Sequence, residues 1–206
     1  DYVAAVLVEA GLLVQTINAQ RDPYFGGTPP DPSATHLNDL VSRVRSDAKI
    51  ALGLATDGDA DRYGIIDADG SFVEPNYILA LLYDYLLRRG EKGDAARSVA
   101  TSHFLDAVAT HHGFAVRETP VGFKYIGEFI RDGAIVIGGE ESAGLSMRGH
   151  VPNKDGVLAC LLVAEMVAVE GKSIRELIAD LYSRVGEYHT ARHNPVSYTH
   201  LTLPTK

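Results

Sequence analysis

The chain has 206 residues, enough for one large domain or two of about 100 residues each. Hydrophobic residues make up 46% and charged residues 22%, an ordinary globular composition. The net charge of -8 argues against a partner with a phosphate backbone, so no nucleic acid is expected, and no apolar run approaches the ~20 residues of a membrane span.

The first residues, Asp1 onward, lie inside an amphipathic stretch (Val3, Val6, Leu7) with no methionine and no signal peptide, as if cut in mid-element. Residues 12–17 are apolar and read as a short strand. Residues 21–32 are dense in Pro, Gly and Asp and form a loop. Ser33 is placed to cap a helix running to about Arg45, with Leu37, Leu40, Val41 and Val44 at helical spacing. Residues 50–55 read as a buried strand and 63–67 as the next, with a hairpin-type turn at Asp69-Gly70. Pro75 opens a helix to about Arg89.

The charged, glycine-containing stretch 90–96 suggests a boundary, giving domains 1–92 and 93–187 and a linker 188–195. The second half then predicts strand 97–101, helix 103–112, strand 115–118, helix 123–131, strand 135–138 and a loop 139–153. A long helix over 155–170 ends at Gly171, and Ser173 with Glu176 makes a capping box for a last helix. Strands alternating with helices predict an α/β chain of two consecutive α/β/α domains, with mixed, mainly parallel sheets. Cys160 is a single cysteine in an apolar run. It reads as a core residue and fits a reducing, cytoplasmic setting. Residues 196–206 change character. They back-translate into the transposon mosaic end and adapter of sequencing libraries, and are expected to be no part of the natural protein.

The sharpest signal is Asp57-Gly-Asp-Ala-Asp-Arg62, a polar loop after an apolar strand. Carboxylates at i, i+2 and i+4 of a non-helical loop can converge on a hard divalent cation such as Mg²⁺, without which they repel one another. A calcium EF-hand is excluded, because that loop needs Gly at its sixth position and Glu at its twelfth, where Arg62 and Ala68 stand. A phosphatase with Asp57 as nucleophile stays open as an alternative. So does a non-catalytic module that binds metal and sugar phosphate. A second loop, Gly139-Glu-Glu-Ser-Ala-Gly144, also follows an apolar strand.

Together these residues resemble the α-D-phosphohexomutases, the phosphoglucomutase and phosphomannomutase superfamily, over residues 1 to about 190. The aspartate loop is similar to the family's D-G-D-G-D-R, with Ala60 replacing the middle glycine. That replacement matters only if position 60 needs a positive φ. The resemblance implies Asp57, Asp59 and Asp61 as Mg²⁺ ligands and Arg62 on the transferring phosphoryl group. Residues 139–144 resemble the sugar loop G-E-E-S-F-G, which implies that Glu140 and Ser142 bind sugar hydroxyls. Thr119-Pro-Val-Gly-Phe-Lys124 resembles T-P-T-G-W-K, which implies Lys124 as a proton-transfer or hydroxyl-binding group in the active site. His150 and Lys154 match basic positions near the substrate.

The implied activity is interconversion of hexose 1-phosphate and hexose 6-phosphate, glucose first, through a phosphoserine and hexose 1,6-bisphosphate. The phosphoserine and a phosphate-gripping loop belong to domains that this chain lacks, so the fragment alone is expected to be inactive. Thr101-Ser-His103 looks like the nucleophile string T-A-S-H-N but lies after the metal loop, and Ser102 reads instead as a helix cap. His111, His112, His189 and His193 read as surface or loop residues.

Overall fold

The computed structural model describes residues 2–190; the candidate tail 196–206 and His193 lie outside the described residues. The described elements are α1 (Tyr2–Glu9), α2 (Asn38–Arg45), β1 (Leu52–Thr56), β2 (Tyr63–Asp67), β3 (Phe72–Val73), α3 (Pro75–Arg88), β4 (Asp94–Ser98), α4 (Phe104–His111), β5 (Val116–Thr119), α5 (Phe123–Arg131), β6 (Ile135–Gly139), β7 (Leu145–Met147), α6 (Gly156–Glu170) and α7 (Ile174–Val185). None of these helices is long and apolar enough to cross a membrane.

The second sheet has the order β5-β4-β6-β7, parallel through β4, with β7 antiparallel at its edge. Side chains alternate across it. Ala96 and Ile135 join Phe123, Ile126 and Ile130 of α5 on one face. Ala95 and Val136 join α3, α4, α6 and α7 on the other. Across the boundary suggested at residue 92, α3 packs against α4, α6, α7 and β6.

The first sheet differs from the parallel arrangement expected for that half. Its described strands β1, β2 and β3 are consecutive and antiparallel, with Thr56 opposite Tyr63. The reason is covalent: residues 57–62 can close a hairpin, whereas a parallel crossover needs a dozen residues or more. Leu52 and Leu54 pack toward α6, while α2 sits over Gly53, where a Cβ would lie 3.0 Å from Val44. Cys160 of α6 meets the Ala55 carbonyl through its Sγ at 3.6 Å, and burial pushes its thiol up to about 12. It is the core residue its neighbours implied.

Other local expectations shift. Residues 12–17 join no ladder. Ser33 does not cap α2: its hydroxyl lies 3.2 Å from both Thr35 Oγ1 and His36 Nδ1, a local bonding pattern that competes with helix, and α2 begins at Asn38. β4 starts before Arg97, and β7 lies inside the expected loop 139–153. The α7 capping box forms as expected. The Asp67 carboxylate adds to it, accepting the Ile174 N–H at 3.0 Å and the Arg175 N–H at 2.9 Å.

Candidate metal and sugar site

Both motif loops are tips of antiparallel hairpins, and they turn alike. Between β1 and β2, the Asp57 N–H donates to Arg62 O at 3.3 Å and the Ala60 N–H to Asp57 O at 3.2 Å. Between β6 and β7, the Glu140 N–H donates to Gly144 O at 2.9 Å and the Ala143 N–H to Glu140 O at 3.1 Å. Each tip places an alanine in the left-handed region, Ala60 at φ 59° and Ala143 at φ 72°. Position 60 thus needs the positive φ for which glycine is the easier residue.

The tips meet. Arg62 and Gly144 form an isolated antiparallel bridge. Successive amides at the head of α6 then reach one hairpin each: Asp155 N–H to Leu145 O at 2.9 Å, Gly156 N–H to Ala60 O at 2.8 Å. A side chain at 144 would collide with Lys154, its Cβ standing 2.5 Å from Lys154 Cδ.

Asp57, Asp59 and Asp61 bring carboxylate oxygens within 4.8 Å of one another, and among the described residues no other group of three metal-ligating side chains converges so. Oxygens on Mg²⁺ at about 2.1 Å span at most about 4.2 Å, so small side-chain rotations close the set. The all-oxygen donors fit that ion. Asp57 is buried, Asp61 half-buried and Asp59 exposed. Cations flank them. Arg62 Nε donates to Asp57 Oδ2 at 2.7 Å, Arg62 N to Asp57 Oδ1 at 3.0 Å, and Lys154 Nζ lies 2.5 Å from Asp61 Oδ2.

Glu140 is buried, and its Oε1 accepts the Gly122 N–H at 2.9 Å. Gly122 has φ 127°, a conformation that favours glycine, and through it the Thr119–Lys124 segment reaches the 139–144 loop. Ser142 is half-buried in the same tip. Lys124 is exposed, with Nζ 4.8 Å from the Tyr125 ring centre. His150 bonds Asp155 at 2.7 Å. Burial raises the Asp155 carboxyl, but the Leu158 N–H and His150 outweigh it and hold it below the usual range. The fold thus joins Lys154 to the aspartate loop and Glu140 to the Gly122 turn, but ties His150 to the α6 cap and turns Lys124 onto Tyr125.

Two contributors escape motif reasoning. Asp31, from the proline-rich loop, accepts from Arg62 Nη1 at 2.8 Å. Glu141 turns inward, accepting from Ser98 Oγ at 3.1 Å and Thr101 Oγ1 at 3.4 Å, and so anchors the 139–144 loop. Ser102 Oγ accepts the Phe104 N–H at 3.1 Å, but the N-cap of α4 is His103, so Ser102 stands one residue ahead of the capping position expected of it. His112 is half-buried and bonds the buried Asp84 at 2.8 Å, a partner that its sequence reading as a surface or loop residue did not include.

The phosphoglucomutase/phosphomannomutase alpha/beta/alpha domain II description matches residues 1–70, and that of domain III matches residues 74–185. A phosphoglucomutase/phosphomannomutase of Thermococcus kodakarensis is 32% identical over 188 residues, covering 91% of this chain and 41% of that protein. Phosphoglucomutase-1 of Homo sapiens is 34% identical over 176 residues, covering 82% of this chain and 31% of it. The crystal structure of a candidate phosphomannomutase from Thermus thermophilus superposes with a TM-score of 0.84 at 35% identity, over 90% of this chain and 43% of that one. The chain therefore spans less than half the length of each of these relatives.

Proposed function

The chain belongs to the phosphoglucomutase/phosphomannomutase family, and from that premise we propose that it is the metal-holding and sugar-recognising part of an enzyme that interconverts hexose 1-phosphate and hexose 6-phosphate, with glucose as the hexose. The observation that carries this reading is the union of the two hairpin tips through the Arg62–Gly144 bridge and the head of α6. A phosphoryl-binding loop and a hydroxyl-binding loop must face one substrate, and here they share backbone contacts.

In this reading Asp57, Asp59 and Asp61 hold Mg²⁺, which supplies positive charge to the phosphoryl oxygens. Arg62 adds a planar donor to the same group. Among the described residues its Nη2 has no protein partner, so that nitrogen can turn outward. Glu140 and Ser142 take sugar hydroxyls. A carboxylate accepts from hydroxyls in either order, so one loop can serve two flipped orientations of the sugar. Lys154 supplies positive charge toward the sugar phosphate, His150 offers it a ring nitrogen, and Lys124 moves the hydroxyl proton once its side chain leaves the Tyr125 ring. The phosphoryl donor is a phosphoserine outside residues 1–206, and hexose 1,6-bisphosphate is the species between the two transfers.

The test is calorimetry on residues 1–206 with MgCl₂ and then glucose 1,6-bisphosphate. Asp59→Asn should abolish the first binding event, and Glu140→Ala should weaken the second about ten-fold or more by removing a charged hydrogen-bond acceptor. Sugar-phosphate binding indifferent to Glu140→Ala would sink the assignment of the sugar loop. Isomerase turnover by residues 1–206 alone would sink the external phosphoserine.

A further inference from the structure

Arg62 is gripped from two directions. Its Nε goes to Asp57, a member of the triad, and its Nη1 to Asp31, which is not. Asp31 comes from the loop 22–32, and that loop is fastened. The Asp22 carboxylate folds its first turn, accepting the Tyr24 N–H at 2.9 Å and the Gly26 N–H at 2.8 Å. Farther on, Pro30 and Phe25 cover Gly58 of the aspartate loop: a Cβ there would meet Pro30 Cγ at 3.3 Å and Phe25 Cζ at 3.5 Å. Pro32 is buried, and its carbonyl lies 2.4 Å from where a Gly64 Cβ would stand. Asp31 sits between these anchored prolines, so its carboxylate is delivered by backbone and not by a chance rotamer.

A divalent cation in the triad must take oxygen from Asp57, and Arg62 Nε already occupies Oδ2. The guanidinium then needs another anion or it swings away from the phosphoryl position. We infer that Asp31 is a positioning residue for Arg62, keeping its guanidinium beside the aspartate loop through Nη1 when Asp57 is given over to the metal. This rests on the metal reading of the triad. Without Asp31 the guanidinium leans only on Asp57 and Asp61, both members of the triad, and competes harder with the cation.

The experiment is a double-mutant cycle read by Mg²⁺ calorimetry on residues 1–206. Asp31→Ala should weaken Mg²⁺ binding about five-fold, the order expected from one half-exposed ion pair. Arg62→Ala should tighten it, and adding Asp31→Ala to Arg62→Ala should change nothing further. If Asp31 acted on the ion through its own charge, its removal would weaken binding in the Arg62→Ala background too, and that result overturns the inference, as does no effect in the parent. A metal-free readout runs beside it: the ¹⁵N resonance of the Arg62 Nε–H should shift in Asp31→Ala and return in Asp31→Glu. An unmoved resonance overturns the positioning role by itself. Mg²⁺ failing to bind any protein, with the resonance responding, would instead strike the metal reading and leave the Asp31–Arg62 coupling standing.

Discussion

The amide of Gly156 donates to the carbonyl of Ala60 at 2.8 Å, pinning the first residue of α6 to the middle of the aspartate loop. No side chain fits between them: a Cβ on Gly156 would lie 2.2 Å from the Arg62 carbonyl oxygen and 3.1 Å from that of Ala60. The positive end of a 15-residue helix therefore faces a loop of three carboxylates.

Gly156→Ala should push that loop away. We expect a loss of about 2 kcal/mol in stability, typical of overpacking, and Mg²⁺ binding weakened about ten-fold. Urea denaturation and calorimetry measure the two. Unchanged affinity would show that the loop keeps its shape without the helix.

Ala60→Gly should do the reverse. A non-glycine residue in the left-handed region costs about 1 kcal/mol, so the variant should gain roughly 0.5–1 kcal/mol and keep its metal affinity. A lower urea midpoint for Ala60→Gly would refute this. The same exchange at Ala143 should gain less, because that methyl group is buried.

Lys154→Met removes a cation paired with Asp61. The triad then loses a competitor for its oxygens, and Mg²⁺ should bind a few-fold more tightly, the scale of a half-exposed pair. Glucose 1,6-bisphosphate should bind less tightly in the same protein. Both affinities moving in one direction would argue against a double role for Lys154.

Away from the site, Asp84 is buried and accepts from Arg184 at 2.7 and 2.8 Å, from Arg88 at 2.9 Å and from His112 at 2.8 Å. Burial alone would raise its carboxyl. The bonds from Arg184, His112 and Arg88 outweigh burial and hold it at about 2, against the usual 3.8. A carboxyl held low stabilises the fold above pH ~4, and the contribution drains away as pH falls toward 2. The gap corresponds to about 2 kcal/mol. Asp84→Asn should cost about 2 kcal/mol at pH 7, because Arg88 and Arg184 lose the buried carboxylate they share. It should also flatten the pH dependence of the urea midpoint between 4 and 2. An unaltered acid slope would place the titrating group elsewhere.

Where neighbours in sequence decide the structure, the residues are legible. Phe123–Arg131 is helical over the span its apolar spacing implies, and Ser173 with Glu176 caps α7. The aspartate loop is readable because its ligands are spaced two apart. What stays hidden depends on distant partners. Residues 12–17 have a strand's composition but no ladder to join. The antiparallel first sheet has one clue in the chain, the short 57–62 connection. Asp31 has none: an aspartate among prolines looks like a turn former, and only the tertiary fold carries it to Arg62.

The Asp67 carboxylate at the end of β2 receives the first amides of α7, while α6 packs on both sheets. Neither family-sized half therefore owns a closed core. Amide hydrogen exchange should find β2 and α7 opening together at one free energy, and a protease cut between β3 and α3 should not release two foldons but unravel both.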